Sequence, residues 1–176
     1  MAQEKHADVL ISGGGLVGLP LALALAQGGL KTVVADAAPP ARGLDPAFDG
    51  RVSALAYAGV RMLGCLGVWD HLRDQAQPIR EIRVSDGGWR ETRGSAHESL
   101  FFVHYDNGEL PEGSIAAGEK PPFGWIVENR AIRRGLLKRL AECSNLTHVP
   151  SARVTDIDFQ PGSAEIKLQD GRIIPA

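Results

Sequence analysis

The chain has 176 residues, 44% of them hydrophobic and 23% charged, with a net charge of −2; this fits a globular chain with one well-cored domain, or a domain plus part of another. No surplus of Lys and Arg is available to neutralise phosphates, which excludes a general nucleic-acid binder. Two cysteines, Cys65 and Cys143, lie far apart and form neither a disulfide framework nor a metal-ligand spacing. Buried free thiols in a reducing, cytoplasmic compartment and no metal site are the expectation.

The short apolar run from Asp8 to Ser12 opens directly into Gly13-Gly14-Gly15-Leu16-Val17-Gly18, and Leu19 to Gln27 then reads as helix. Strand, Gly-x-Gly-x-x-Gly and helix in that order predict a dinucleotide-binding turn. Gly13 supplies the backbone angle of the tight turn, Gly15 leaves room for a pyrophosphate, and Gly18 lets helix and strand pack closely. The N–H groups around Leu16 and Val17, with the helix dipole behind them, suit an anionic phosphate. The next apolar strand, Lys31 to Ala35, ends at Asp36, eighteen residues past Gly18, close to the roughly 20 expected for an acid that reads the ribose hydroxyls. Residues 16–30 are too short and too broken by glycine to span a bilayer, and Asp8 with the glycine triplet spoils a secretory signal.

The segment 37–46 holds three prolines and a glycine and is predicted to be a loop. Apolar positions from Ser53 to Leu66 predict a helix interrupted at Gly59, and Trp69 with Leu72 a second short helix that stops before Pro78. Ile79 to Ser85 predicts a strand ended by Asp86-Gly87-Gly88. Between Trp89 and Pro122 only Leu100 to Val103 is an apolar patch, predicting a strand or hairpin followed by an irregular loop. His97 and His104 read as surface or packing histidines.

Trp125 to Val127 leads into a helix that runs to about Cys143 on Ile132, Leu136, Leu137 and Leu140, with Asn129 placed to cap it. The bases Arg130, Arg133, Arg134, Lys138 and Arg139 read as the solvated face of that helix. Leu146 to Val149 predicts a strand joining a parallel sheet. The remainder predicts a three-stranded meander with turns at Pro161-Gly162 and Asp170-Gly171.

Together the N-terminal fingerprint, Asp49-Gly50-Arg51-Val52-Ser53-Ala54-Leu55, Gly67-Val68-Trp69, Ile82-Arg83-Val84-Ser85-Asp86 and Val127-Glu128-Asn129-Arg130 resemble the FAD-dependent aromatic hydroxylases, the flavoprotein monooxygenases. The likeness covers essentially the whole chain and is strongest toward the ubiquinone-biosynthesis hydroxylases. It implies an α/β, Rossmann-like FAD-binding fold in three layers: residues 1–78 are the first part of the FAD-binding core, 79–124 part of an inserted β-rich substrate domain, and 125–176 the return to the core. It also implies FAD held by its ADP half on Gly13, Gly15, Leu16, Val17 and Gly18, with Asp36 on the ribose, Arg51 near flavin and pyrophosphate, Asn129 on the cofactor, and a backbone contact from Val154 to the adenine. A guanidinium suits phosphate oxygens and an amide can bridge ribose and phosphate. Two alternatives stay open: Arg51 as an ion-pair partner of Asp45 or Asp49, and Asn129 as a helix cap alone.

The activity implied is hydroxylation of an electron-rich phenolic ring, a ubiquinone precursor, with NAD(P)H as reductant and O2 as co-substrate. No side chain of this chain is indicated as acid, base or nucleophile. A prenylated substrate would imply peripheral membrane association without an integral segment. The family's later strand with an Asp-Gly motif and its Gly-Asp motif do not occur here, so the expectation is an N-terminal piece, inactive alone. Its open sheet edge should favour self-association or weak folding. Two other readings fit the fingerprint: a stand-alone nucleotide-binding or interaction module, and an NAD-dependent dehydrogenase. The dehydrogenase reading leaves residues 49–55 unexplained.

Overall fold

The computed structural model describes residues 7–40, 44, 50–85, 102–110 and 120–176. Strands β1 (Val9–Ser12), β2 (Thr32–Asp36) and β8 (Leu146–Pro150) form a parallel sheet in the order β1-β2-β8. β2 is central, pairing Leu10 with Val33 on one side and Thr147 with Val33 on the other. A strand covered on both faces needs an unbroken apolar run, which Val33-Val34-Ala35 supplies, and the buried Thr32 before it donates its hydroxyl to the Leu30 carbonyl. Consecutive side chains point to opposite faces, so Val34 enters one core and Ala35 another.

Helices cover the Val34 face. Helix α1 (Gly18–Gln27) connects β1 to β2 and buries Leu19, Pro20, Ala22, Leu23 and Ala26, one stripe at helical spacing. It packs with α2 (Tyr57–Cys65) and α3 (Asn129–Ala141) around Leu63, Val68, Leu72, Val127, Ile132, Leu136 and Leu146. The Ala35 face is covered by an antiparallel meander, β9 (Val154–Gln160), β10 (Ser163–Leu168) and β11 (Ile173–Pro175), through Ala152, Ile166 and Leu168. Its turns fall at Gly162 and Gly171, both in the left-handed region.

A second sheet is antiparallel. β7 (Gly124–Glu128) lies between β3 (Val52–Ala56) and β4 (Gln77–Ile79), with Pro78 on an edge strand where its missing N–H is tolerated. β5 (Glu81–Ser85) and β6 (Phe102–Asp106) form a separate two-stranded ladder.

The parallel strands, α1 and the meander stand where the sequence predicts them, but four local expectations are corrected. Residues 53–56 are strand, paired with β7, and the helix begins only at Tyr57 and runs through Gly59 without a break. Trp69–His71 and Arg73–Gln75 are single 3-10 turns. The strand expected over 79–85 is split, Ile79 ending β4 and Glu81 opening β5 in a different sheet. Both cysteines are free thiols, yet Cys65 is exposed and Cys143 half-buried. His104 is a surface side chain 3.3 Å from Glu81, whereas His97 and Leu100 lie outside the described residues.

Candidate functional site

Beyond β1 the chain reverses at Gly13, whose φ of +113° strains any residue with a side chain. The Gly13 N–H donates to the Ala35 carbonyl at 2.7 Å, tying the turn to the end of β2. At the start of α1, a Cβ on Gly18 would lie 1.9 Å from the Gly13 carbonyl oxygen and 3.4 Å from the Ile11 side chain. The close approach of helix and strand therefore depends on this glycine. Gly15 differs, because a Cβ there would meet nothing within 4 Å and faces open space. Leu16 packs against the core and Val17 is 83% exposed. Their backbone N–H groups precede the first helical bonds, Leu19 to Gly15 and Leu21 to Val17, and such leading N–H groups are the ones a helix leaves for an external acceptor.

Asp36 closes β2 and is only 8% exposed. Its carboxylate lies against the glycine turn: a Cβ on Gly14 would sit 2.7 Å from Asp36 Oδ2. Gly14, a variable position of the motif, is thus the glycine that lets the acid reach the turn. Oδ1 accepts the Ala38 N–H at 3.1 Å, and Oδ2 accepts from Arg133 Nη2 at 3.1 Å. Arg133 Nη1 donates to the Gly14 carbonyl at 2.9 Å. The Asp36 and Arg133 side chains are each 11% exposed, so this is a largely desolvated pair.

His148 of β8 stands opposite Val34 in the sheet. Burial pushes its pKa down, the Asp36 charge raises it, and the Arg133 charge lowers it. His148 Nε2 and Arg133 Nε are buried without a hydrogen-bond partner among the described residues.

Pairing of β3 with β7 brings Arg51 and Asn129 together, and the Asn129 N–H donates to the Arg51 carbonyl at 3.0 Å. The Ser53 hydroxyl donates to Asn129 Oδ1 at 2.5 Å, leaving the Nδ2 donors as what this amide can offer a ligand. Asn129 is the first residue of α3 and Glu128 occupies the cap position, so the helix-cap reading of Asn129 is corrected. Asp45 and Asp49, the alternative partners of Arg51, lie outside the described residues. Val154 opens β9, two residues past Ala152, whose N–H donates to the Asp36 carbonyl at 2.8 Å, and packs against the core that holds Ala35.

The basic face of α3 is not simply solvated. Arg133 is the largely buried partner of Asp36, and Arg139 donates to the Leu66 carbonyl at 2.9 Å and to Glu142 at 2.9 Å. Arg130 and Glu128 form a surface pair that lowers the Glu128 pKa and raises that of Arg130. Helical spacing holds a signal for Arg133: four residues from Asn129, it falls on the same face one turn on. Ser53 carries no such signal, because its role depends on a strand pairing.

Among the described residues no helix is long and apolar enough to cross a membrane, and no group of three His, Cys, Asp or Glu is placed to hold a metal ion.

No protein-family model matches the chain. Among curated proteins it is 40% identical over 173 residues to ubiquinone hydroxylase UbiL of Rhodospirillum rubrum, a match covering 98% of this chain and 36% of that protein. Among solved structures it matches p-nitrophenol 4-monooxygenase PnpA of Pseudomonas putida with a TM-score of 0.71 at 19% identity, over 98% of this chain and 40% of that one. PqsL of Pseudomonas aeruginosa, a probable FAD-dependent monooxygenase, matches with a TM-score of 0.63 at 19% identity, over 97% of this chain and 40% of that one. The chain thus spans little more than a third of the length of the curated relative to which it is 40% identical. Over nearly its whole length the chain is thus related in sequence to the ubiquinone hydroxylases and shares its fold with flavoprotein monooxygenases.

Proposed function

We propose that this chain carries the FAD-binding part of a monooxygenase that hydroxylates an aromatic substrate, a ubiquinone-precursor phenol, with NAD(P)H and O2. One observation carries the reading. The glycine turn, the carboxylate of Asp36 and the first turns of α3 converge on one place: Arg133 of α3 donates to both the Gly14 carbonyl and Asp36, and Asp36 lies so close to the turn that a side chain on Gly14 would displace it. The helical layer, parallel sheet and meander support a Rossmann-like three-layer fold. We read residues 79–124, which include the separate β5-β6 ladder, as part of a substrate domain inserted between 1–78 and 125–176.

The residues present fit the ADP half of FAD. Open space at Gly15 admits a pyrophosphate, and the N–H groups of Gly15, Leu16 and Val17 are the donors for it. Asp36 has used one acceptor site on each carboxylate oxygen and keeps others for ribose hydroxyls. Arg51 would serve the pyrophosphate, the Asn129 amide the cofactor beyond it, and the Val154 backbone the adenine. When bound, FAD supplies the redox chemistry that protein side chains lack, and this chain orients it and keeps water from it. NAD(P)H is the reductant in this reading. The role we assign to the site described here is cofactor binding. A prenylated substrate would bring the enzyme to a membrane surface without a spanning segment.

The test is equilibrium titration of the chain with FAD, ADP and NAD, followed by flavin fluorescence and calorimetry. FAD and ADP should bind, and Asp36→Ala should weaken both about 10- to 100-fold, the worth of hydrogen bonds to a charged acceptor. An unchanged dissociation constant in that variant removes the ribose assignment. Binding of NAD with no binding of FAD overturns the flavoprotein reading.

A further inference from the structure

We propose that Arg133 is a positioning residue for the nucleotide site: by bridging the Gly14 carbonyl and the Asp36 carboxylate it fixes the acid in the orientation that reads the ribose. The inference rests on the nucleotide-binding reading above and names a residue outside the glycine motif.

The geometry is two-pronged. Arg133 Nη1 donates to Gly14 O at 2.9 Å and Nη2 to Asp36 Oδ2 at 3.1 Å, so one planar guanidinium ties the turn of β1-α1 to the end of β2. Only an arginine spans both acceptors in a fixed fork; a lysine offers a single point of charge. The acid is held where it would not otherwise stay. Asp36 lies almost wholly out of solvent, at the place where a Gly14 side chain would be. A carboxylate buried without a cation is strongly disfavoured, and its simplest escape is rotation toward water. Such rotation would carry both oxygens away from the turn.

Placement on α3 adds a second argument. Asn129 begins this helix and Arg133 lies one turn on, so both stand on one helical face, from which Arg133 reaches the glycine turn and Asn129 meets Ser53 and Arg51 of the β3 segment. Arg133 thereby couples residues of the first and last thirds of the chain into one site. Its Nε, buried and unpartnered among the described residues, adds no competing contact that would pull the guanidinium elsewhere.

The test compares ADP with 2′-deoxy-ADP by calorimetry on the wild-type chain, Arg133→Gln and Arg133→Lys, with folding checked by circular dichroism. Wild type should prefer ADP about tenfold, as expected for one hydrogen bond to a charged acceptor. In R133Q the preference should fall to about twofold or less, while R133K should be intermediate because charge is kept and the fork is lost. In an Asp36→Asn background, R133Q should have no further effect on the ratio, as coupled residues require. A folded R133Q with the wild-type ratio overturns the proposal. Should R133Q fail to fold, R133K decides: a wild-type ratio there overturns it equally. A wild-type chain that binds no ADP, or binds both nucleotides alike, instead overturns the ribose reading on which the proposal stands.

Discussion

At the scale of single residues, the glycines of the turn do different work and can be separated by the same small substitution. Gly18→Ala places a methyl group 1.9 Å from a backbone oxygen, and neither the helix nor Gly13 can yield without breaking the turn. We expect a loss of about 1–3 kcal/mol or more, read as a lower urea midpoint. Gly15→Ala meets nothing within 4 Å, so stability should stay within about 0.5 kcal/mol of wild type. If the pyrophosphate approaches there, FAD affinity should nonetheless fall about tenfold or more. A Gly15→Ala chain with normal stability and normal affinity would move the phosphate elsewhere. Asp36 adds a third distinction: in the proposed site its worth to binding depends on being held, and the ion pair that holds it comes from Arg133 in another part of the chain.

At the scale of elements, α3 matters most because it packs the core with one face and builds the site with another. Its Gly135 lies against the turns at 69–75: a Cβ there would fall 2.7 Å from Leu72 Cδ2 and 3.4 Å from His71 Cβ, and Leu72 is fully buried, so its side chain would have to shift within the core. Gly135→Ala gains roughly 1 kcal/mol of helix propensity and loses about 1–3 kcal/mol to overpacking. A net loss of about 1 kcal/mol should appear as a lower midpoint in urea, and a gain would show that α3 and these turns are loosely packed. On β8, His148 has its pKa lowered first by burial, so below the ordinary value the unfolded chain takes up a proton before the folded one does. More protons on the unfolded chain means that stability rises with pH in that window. His148 therefore contributes stability present above about pH 6.5 and lost as pH falls toward its folded value. Melting temperatures measured between pH 7 and pH 5 should fall less steeply in His148→Gln than in wild type, and parallel slopes would refute this.

For the whole molecule, two cores share one parallel sheet, helices on the Val34 side and the meander on the Ala35 side. In the described pairings β1 and β8 each bond to a strand on one side only. Apolar side chains also stand exposed, with Phe159 at 77% and its same-face neighbour Ile157 at 40% on the outer strand of the meander. Open edges and neighbouring exposed apolar groups favour association. We expect light scattering to give an apparent mass above that of a monomer that rises with concentration, and Phe159→Lys to reduce it. A monodisperse monomer at high concentration would count against this.

Contiguous features are legible in the amino-acid sequence by itself. The glycine turn, the helix behind it, the acid at the end of the next strand and the Gly-marked turns of the meander each depend on neighbours within a few positions, so period and spacing define them. Residues 53–56 read as helix in sequence yet fold as strand, because a short apolar run carries no period long enough to separate the two, and pairing with β7, some seventy positions away, decides between them. The basic stretch of α3 reads as a solvated face for a related reason. Composition records that a charge is present, but the acid that neutralises Arg133 lies 97 positions earlier and meets it only when α3 packs beside the first turn. The glycine turn and strand-end acid of the proposed nucleotide site are therefore written in local sequence, whereas the set of that carboxylate is decided by a long-range contact that only the folded chain makes.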